Sequence, residues 1–341
     1  MTHRVGVIAG DGAGPEVIAE ARQAVDALRL DLEWNELPWG TEHFHEHGTM
    51  MPADALDAAR AHDAILLGAV GHPSVPDHIT LWGLLLPLRQ RLDLFANLRP
   101  ARLLDGVPSR LEGRPQVDML FVRENTEGEY AGVGGRAHQG LELEVGIETS
   151  VFTRAGVRRV VERAFELAEG RRGVLTSATK SNASRYGYVL WDEVVEEVHA
   201  SHPEVTVERV LVDALAARMV TNPAGLDVVV ASNLFGDILT DLAAALQGGM
   251  GMAASASVGA DRIAMFEPVH GSAPDIAGQG IANPLGAIWS AALMVQHLGE
   301  AHAYERLMAA VEAVCRDRVF TRDLGGSATT SEVGDAVIAR L

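Results

Sequence analysis

At 341 residues the chain is too long for one small core, and one large or two intertwined domains are expected. A hydrophobic content of 48% supports a buried interior rather than disorder, and a formal net charge of −18 argues against nucleic acid and anionic membrane surfaces as partners. The single cysteine, Cys315, excludes an intramolecular disulfide and a thiolate metal site; the amphipathic run over 307–314 before it fits a buried structural thiol.

In chain order, residues 5–9 predict a strand, 10–14 a glycine turn and 15–28 a helix, with Pro15 in the first turn and Glu16 suited to its dipole. A strand at the very start leaves no room for a signal peptide, and no apolar stretch reaches spanning length, so a cytoplasmic chain is expected. Residues 64–67 predict a strand, 71–77 a loop and 81–92 a helix. Strands at 118–122, 173–176, 205–210 and 228–231 alternate with helices at 160–168 and 191–199. That alternation predicts an α/β architecture with parallel character. Two stretches break the rhythm. Residues 128–147 are glycine-rich and then alternate (Leu141, Leu143, Val145, Ile147), which predicts an arm with one apolar face in need of a partner surface. Residues 253–266 are rich in small side chains and read as a crossover. His43, His45 and His47 fit an exposed helix or loop better than a metal tract.

The chemistry concentrates at the ends of apolar runs. In Ser232-Asn233-Leu234-Phe235-Gly236-Asp237-Ile238-Leu239-Thr240-Asp241, the two aspartates stand four apart at the start of a helix and point the same way. They are either solvated helix-start acids or two oxygen ligands of a hard cation. Asp213 closes another apolar run, and with Asp237 and Asp241 makes a set suited to Mg²⁺ or Mn²⁺ rather than Zn²⁺. Arg89, Arg99 and Arg123 are guanidinium forks that would give an anionic substrate a positive focus in an acidic protein. Lys180 follows a strand, and a nearby cation or arginine would lower its pKa and make it a usable base. Gly10-Asp11-Gly12-Ala13-Gly14-Pro15 is not GxGxxG, since Pro15 closes it early, so a Rossmann site is excluded there. In Glu267-Pro268-Val269-His270-Gly271-Ser272-Ala273-Pro274-Asp275, the N–H groups of Gly271 to Ala273 can face a dinucleotide. Asp275 can accept from a ribose hydroxyl and would repel a 2′-phosphate, which favours NAD over NADP.

Taken together, these segments resemble the β-decarboxylating dehydrogenases: the isocitrate, 3-isopropylmalate, homoisocitrate, tartrate and D-malate enzymes. The match runs from Gly10-Asp11-Gly12 to Asp323-Leu324-Gly325-Gly326-Ser327-Ala328. The Asn233-to-Asp237 and Glu267-to-Asp275 motifs are specific to that family, and Pro76-Asp77-His78-Ile79-Thr80-Leu81-Trp82-Gly83 with 122–136 is most similar to its tartrate/D-malate branch. The resemblance implies an isopropylmalate-dehydrogenase-like fold, not Rossmann. In that fold two α/β domains share a mixed central sheet with the active cleft between them. Residues 1–96 plus 249–341 would form the large, cofactor-binding domain. Residues 97–248 would form the small domain of dimerisation, metal and substrate, with its arm around 128–148.

By the same resemblance Arg89, Arg99 and Arg123 hold substrate carboxylates, and Tyr130 and Lys180 are the acid–base pair. Asn182 lies near substrate or nicotinamide, and Asp213, Asp237 and Asp241 bind the divalent cation. His270, Gly271, Ser272, Ala273, Asp275 and Asn283 line the NAD site. Lys180 and Asp213 would come from the neighbouring subunit of a homodimer, and a monovalent cation is an additional candidate cofactor. Gly83 and Leu85 stand where isocitrate enzymes carry serine and asparagine. Leu85 and Leu86 match the isopropylmalate enzymes, but Trp82 stands where those carry glutamate. Ala13 replaces the family's usual isoleucine. The resulting expectation is NAD-dependent oxidative decarboxylation of D-malate or oxidation of tartrate. A 3-isopropylmalate dehydrogenase is the alternative, and a non-catalytic dinucleotide-binding protein a distant one.

Overall fold

The structure is a computed structural model that describes residues 2–341. The chain forms two compact units. One holds the chain up to Leu94 with Arg99–Val117 and Ala243–Leu341, the other Phe95–Leu98 and Asp118–Leu242. The sequence placed all of 97–248 together. Residues 99–117 and 243–248 instead belong with the termini: Arg102 donates from its side chain to Glu312 at 2.6 Å and from its N–H to Gln247.

The first unit begins with β1 (His3–Gly10), α1 (Gly14–Asp26), β2 (Leu32–Glu36), α2 (Thr41–His47), α3 (Ala55–Arg60) and β3 (Ala64–Ala69). Then come α4 (Asp77–Thr80), a π-helical turn at Leu81–Leu85 and α5 (Leu86–Arg91). β4 (Ala96–Arg102) is divided between the units. After the second unit, the chain returns in β11 (Ala254–Val258), β12 (Ala264–Pro268), α10 (Leu285–His297), α11 (Ala301–Arg316) and α12 (Thr330–Ile338). Strand order within this unit is β2-β1-β3-β12-β11, all parallel except the antiparallel β11–β12 pair. The expected crossover at 253–266 is therefore two paired strands. Ala254-Ser255-Ala256-Ser257 is buried throughout, and small side chains on both faces leave no alternation to read. β3 is buried at every residue, as an apolar run inside a parallel sheet must be. α10 is apolar nearly all round and packs against α1, α11 and β12, so it forms the unit's central helix.

The second unit contains β5 (Asp118–Glu124), β6 (Gly128–Ala137), β7 (Val145–Val151), α6 (Arg154–Glu169), β8 (Val174–Thr179) and α7 (Gly187–His199). β9 (Thr206–Leu211), α8 (Val212–Thr221), β10 (Val228–Ala231) and α9 (Asn233–Leu246) follow. Its strands run parallel in the order β5-β10-β8-β9, and α6 packs on β5 and β10. β6 and β7 pair antiparallel as a separate ribbon. Within the predicted arm, Val145 and Ile147 lie on β7 while Leu141 and Leu143 lie in the connection, and all four are exposed. The architecture is α/β with a large mixed central sheet. Among the described residues, no helix is long and apolar enough to cross a membrane.

Candidate active site

In the second unit, Arg123 is the penultimate residue of β5 and pairs with Ala231, the last residue of β10, so α9 begins beside the guanidinium. Arg123 is only 2% exposed. Its Nε and Nη2 both donate to Asn233 Oδ1, at 3.0 and 2.8 Å, and Nη1 donates to Asp237 Oδ1. Tyr130 donates its hydroxyl to Asp237 Oδ2 at 3.1 Å, and the Arg123 guanidinium lies 5.7 Å from its ring centroid. Burial, and then the neighbouring Asp237 carboxylate, push the Tyr130 phenol above its ordinary pKa, so it stays protonated. Gly236 makes this packing possible, since a Cβ there would meet Arg123 Cβ at 2.7 Å and Cγ at 2.6 Å. Asn233 and Gly236 stood inside a motif the sequence singled out, yet neither had been given a role. Their signal was a small residue and an amide flanking a strand end that carries an arginine.

Asp237 and Asp241 stand one turn apart on α9, and Asp241 is exposed. Asp213 opens α8, and its Oδ1 lies 2.8 Å from Lys180 Nζ, which follows β8. The hydrogen bond from Lys180 holds the Asp213 carboxyl below its ordinary pKa. Asn182 is exposed in the turn after Lys180, whose carbonyl accepts from the N–H groups of Ala183 and Ser184. Among the described residues, no group of three or more His, Cys, Asp and Glu side chains assembles into a metal site within one chain. The two α9 acids and Asp213 are thus separate in a single copy. As oxygen donors they suit a hard cation, and Asp237 and Asp241 present two of them from one helix face.

In the first unit, Arg89 sits in the last turn of α5, 5% exposed, with Nη2 donating to Glu267 Oε1 at 2.7 Å. Arg99 is buried on β4. The π-helical turn before α5 buries Leu84 and leaves Trp82 42% exposed. Leu86 is buried and Leu85 packs on the core, so the two leucines shared with the isopropylmalate enzymes serve packing here. A Cβ on Gly83 would meet Met50 at 2.5 Å, so a serine at this position would push on that side chain.

The glycine turn at 10–14 abuts the second glycine-rich loop. Ala13 N–H donates to the Ser272 carbonyl at 2.8 Å, and Gly12, at φ +61°, would meet that carbonyl oxygen at 2.0 Å if it carried a Cβ. Glu16 does more than suit the helix dipole, since its carboxylate accepts from the Gly278 and Gly280 N–H groups. A cavity of about 370 Å³ opens beside these loops. Ala13, His270, Ala273, Asn283, Arg322 and Asp323 contribute to its wall. Gly271, Ser272 and Asp275 belong to the loop without lining the cavity, and Asp275 is exposed. The carboxylate in the wall is Asp323, which accepts from Asn283 Nδ2 at 3.0 Å and from the Thr321 hydroxyl at 2.5 Å. Sequence reasoning quoted the motif that holds Asp323 but gave the residue no role. His270 Nδ1 lies 2.9 Å from the Gly271 carbonyl, which can only accept, so Nε2 carries the lone pair. Nε2 is buried without a protein partner, and burial lowers the ring's pKa. An apolar cavity with one buried, unspent acceptor and a fixed carboxylate fits the adenosine end of a dinucleotide.

The sequence profile of the isocitrate/isopropylmalate dehydrogenase family matches residues 4–337. A probable tartrate dehydrogenase/decarboxylase of Agrobacterium vitis is 50% identical, over 98% of this chain and 96% of its own length. A 3-isopropylmalate dehydrogenase of Mycobacterium sp. (strain KMS) is 48% identical over 98% of this chain and 99% of its own. A D-malate dehydrogenase [decarboxylating] of Escherichia coli (strain K12) is 46% identical over 98% of each. Among solved structures, isocitrate dehydrogenase from Methylococcus capsulatus superposes with a TM-score of 0.92 at 36% identity, covering 99% of both chains.

Proposed function

The chain belongs to the isocitrate/isopropylmalate dehydrogenase family and is an oxidoreductase; from that premise we propose that it carries out NAD- and divalent-metal-dependent oxidation of a small 2-hydroxy dicarboxylate, converting D-malate to pyruvate and CO₂ or oxidising tartrate. The observation that carries the proposal is the Arg123–Asp237–Tyr130 cluster, in which a carboxylate-binding fork, a metal-ligand candidate and a protonated phenol share direct hydrogen bonds.

In this reading the cavity walled by His270, Asn283 and Asp323 takes the adenosine half of NAD. Asp237 and Asp241 of one copy, with Asp213 of a second, take Mg²⁺ or Mn²⁺. When bound, the dinucleotide supplies a hydride acceptor and the ion a Lewis acid. Arg89, Arg99 and Arg123 hold and orient the substrate's carboxylates. Lys180 takes the C2 hydroxyl proton as hydride leaves the same carbon, which gives a β-keto acid. The bond from C3 to its carboxylate then breaks, releasing CO₂ and leaving an enolate on the remaining fragment. Tyr130, kept protonated by its surroundings, donates a proton to C3. Asn182 stands two residues from the base and contacts substrate or nicotinamide.

The exposed apolar residues of the β6–β7 ribbon support a homodimer with shared sites, since such residues need a covering surface. Trp82, the bulkier of the two exposed apolar side chains of its segment beside Leu81, supports a small diacid over one with an isopropyl group. The Mycobacterium relative keeps 3-isopropylmalate as the second reading, because identity alone does not separate it from the tartrate and D-malate relatives. The proposal is tested by incubating the enzyme with D-malate and NAD⁺ and measuring NADH and CO₂ together. Equal amounts of the two support it; NADH without CO₂ from D-malate would remove the decarboxylation.

A further inference from the structure

Two motifs that the sequence presents separately meet in a buried ion pair. Arg89 and Glu267 lie 178 positions apart, yet Arg89 Nη2 is 2.7 Å from Glu267 Oε1, and both residues are less than 10% exposed. Glu267 is a stiff post. It sits on β12 opposite Ser255 of β11, the Ser255 hydroxyl donates to its carbonyl at 3.0 Å, and Pro268 follows it. Arg89 is the opposite case. It sits in the last turn of a six-residue helix that follows a π-helical turn, and its long side chain has many rotamers that only a partner at its tip can narrow. The guanidinium is also not saturated. Its Nε is buried and has no protein acceptor, which in a native interior points to a partner the protein does not supply.

We infer that Glu267 is a positioning residue for Arg89: it clamps one arm of the fork so that the remaining donors, Nε among them, are aimed at a carboxylate oxygen of the substrate. The inference rests on the reading of Arg89 as a substrate-binding residue and adds the group that sets its aim. A fixed fork matters because a bidentate contact depends on planar alignment, and an unclamped guanidinium spreads over several rotamers. Glu267 also lies three residues before His270, so a merely structural role would loosen the dinucleotide loop instead.

Glu267→Ala, Glu267→Asp and Glu267→Gln separate these cases by the KM values for substrate and for NAD⁺. Gln keeps the acceptor oxygen at the same reach. Asp keeps the charge but shortens the arm by one methylene, a change mild enough to keep the fold. The expected result is a substrate KM raised about tenfold or more in the Ala and Asp variants, with kcat and the NAD⁺ KM within about threefold of the parent. The Gln variant should hold the substrate KM within about threefold. Arg89→Ala is measured beside them. If it raises the substrate KM while Glu267→Asp does not, the positioning role is wrong and the reading of Arg89 stands. If Arg89→Ala leaves the substrate KM unchanged, the reading of Arg89 itself fails. A rise in the NAD⁺ KM alone in the Glu267 variants would assign Glu267 to the loop and overturn the inference.

Discussion

Asn233 Oδ1 accepts two hydrogen bonds from Arg123, at 3.0 and 2.8 Å, across 110 positions of sequence. That one oxygen sets the plane of a guanidinium that is 2% exposed, and the Asn233 amide is fixed in turn by donating to the Glu127 carbonyl at 3.0 Å. Asn233→Ala should therefore remove two buried hydrogen bonds to the Arg123 guanidinium, which costs on the order of 1–3 kcal/mol. The expected outcome is a lower Tm and a kcat/KM reduced about tenfold or more through misalignment of Arg123. Urea unfolding and steady-state kinetics on the same preparation check it; an unchanged kcat/KM would separate Arg123 from substrate binding.

Lys180 and Asp213 form an ion pair at 2.8 Å whose Asp213 side chain is 66% exposed, so the pair contributes little to stability. Lys180→Met should leave Tm nearly unchanged while kcat falls by roughly 10²–10⁴ if Lys180 is the general base. Turnover close to that of the parent would end the base assignment.

Sharing of sites between copies has a separate test. Lys180→Met and Arg123→Ala subunits, each nearly inactive alone, should regain activity when mixed, because some hybrid sites would draw every functional side chain from an intact source. Mixed dimers isolated by two affinity tags and still inactive would argue that each copy builds its own site.

Glu20 on α1 is buried, and its Oε2 presses on Gly334 of α12, where a Cβ would come within 1.9 Å. Burial raises its pKa above the ordinary carboxylate value. The folded state thus holds the proton more tightly than the unfolded state. The stability this confers is full below the ordinary value and is lost as pH rises through the raised one. Glu20→Gln should accordingly raise Tm at about pH 7.5, with the gain shrinking toward about pH 4. Thermal melts across that range check it; a gain that grows as pH falls would contradict the sign.

The strands and the positions of the polar residues at their ends were largely legible in sequence because apolar runs buried on both faces end abruptly in polar residues. Val228-Val229-Val230-Ala231 before Asn233 and Asp237 is the clearest case, and all four of its residues are buried. β11 and α10 were not legible for a related reason. Ala254-Ser255-Ala256-Ser257 lacks large side chains, and α10 is apolar nearly all round, so neither shows a period. Long-range pairs were invisible in principle. Nothing within a few residues of Arg89 announces Glu267, and nothing near Asn283 announces Asp323. Those partners depend on which strand ends the topology brings together. Asp213 shows the remaining limit: sequence grouped it with Asp237 and Asp241, whereas in one chain it pairs with Lys180.

The central claim is tested most directly by kcat/KM for D-malate, tartrate and 3-isopropylmalate with NAD⁺, measured on chelator-stripped enzyme before and after Mn²⁺ is restored. The account predicts negligible rates without the ion, and with it a clear preference for D-malate or tartrate. Full activity in the stripped enzyme, or a strong preference for 3-isopropylmalate, would contradict it.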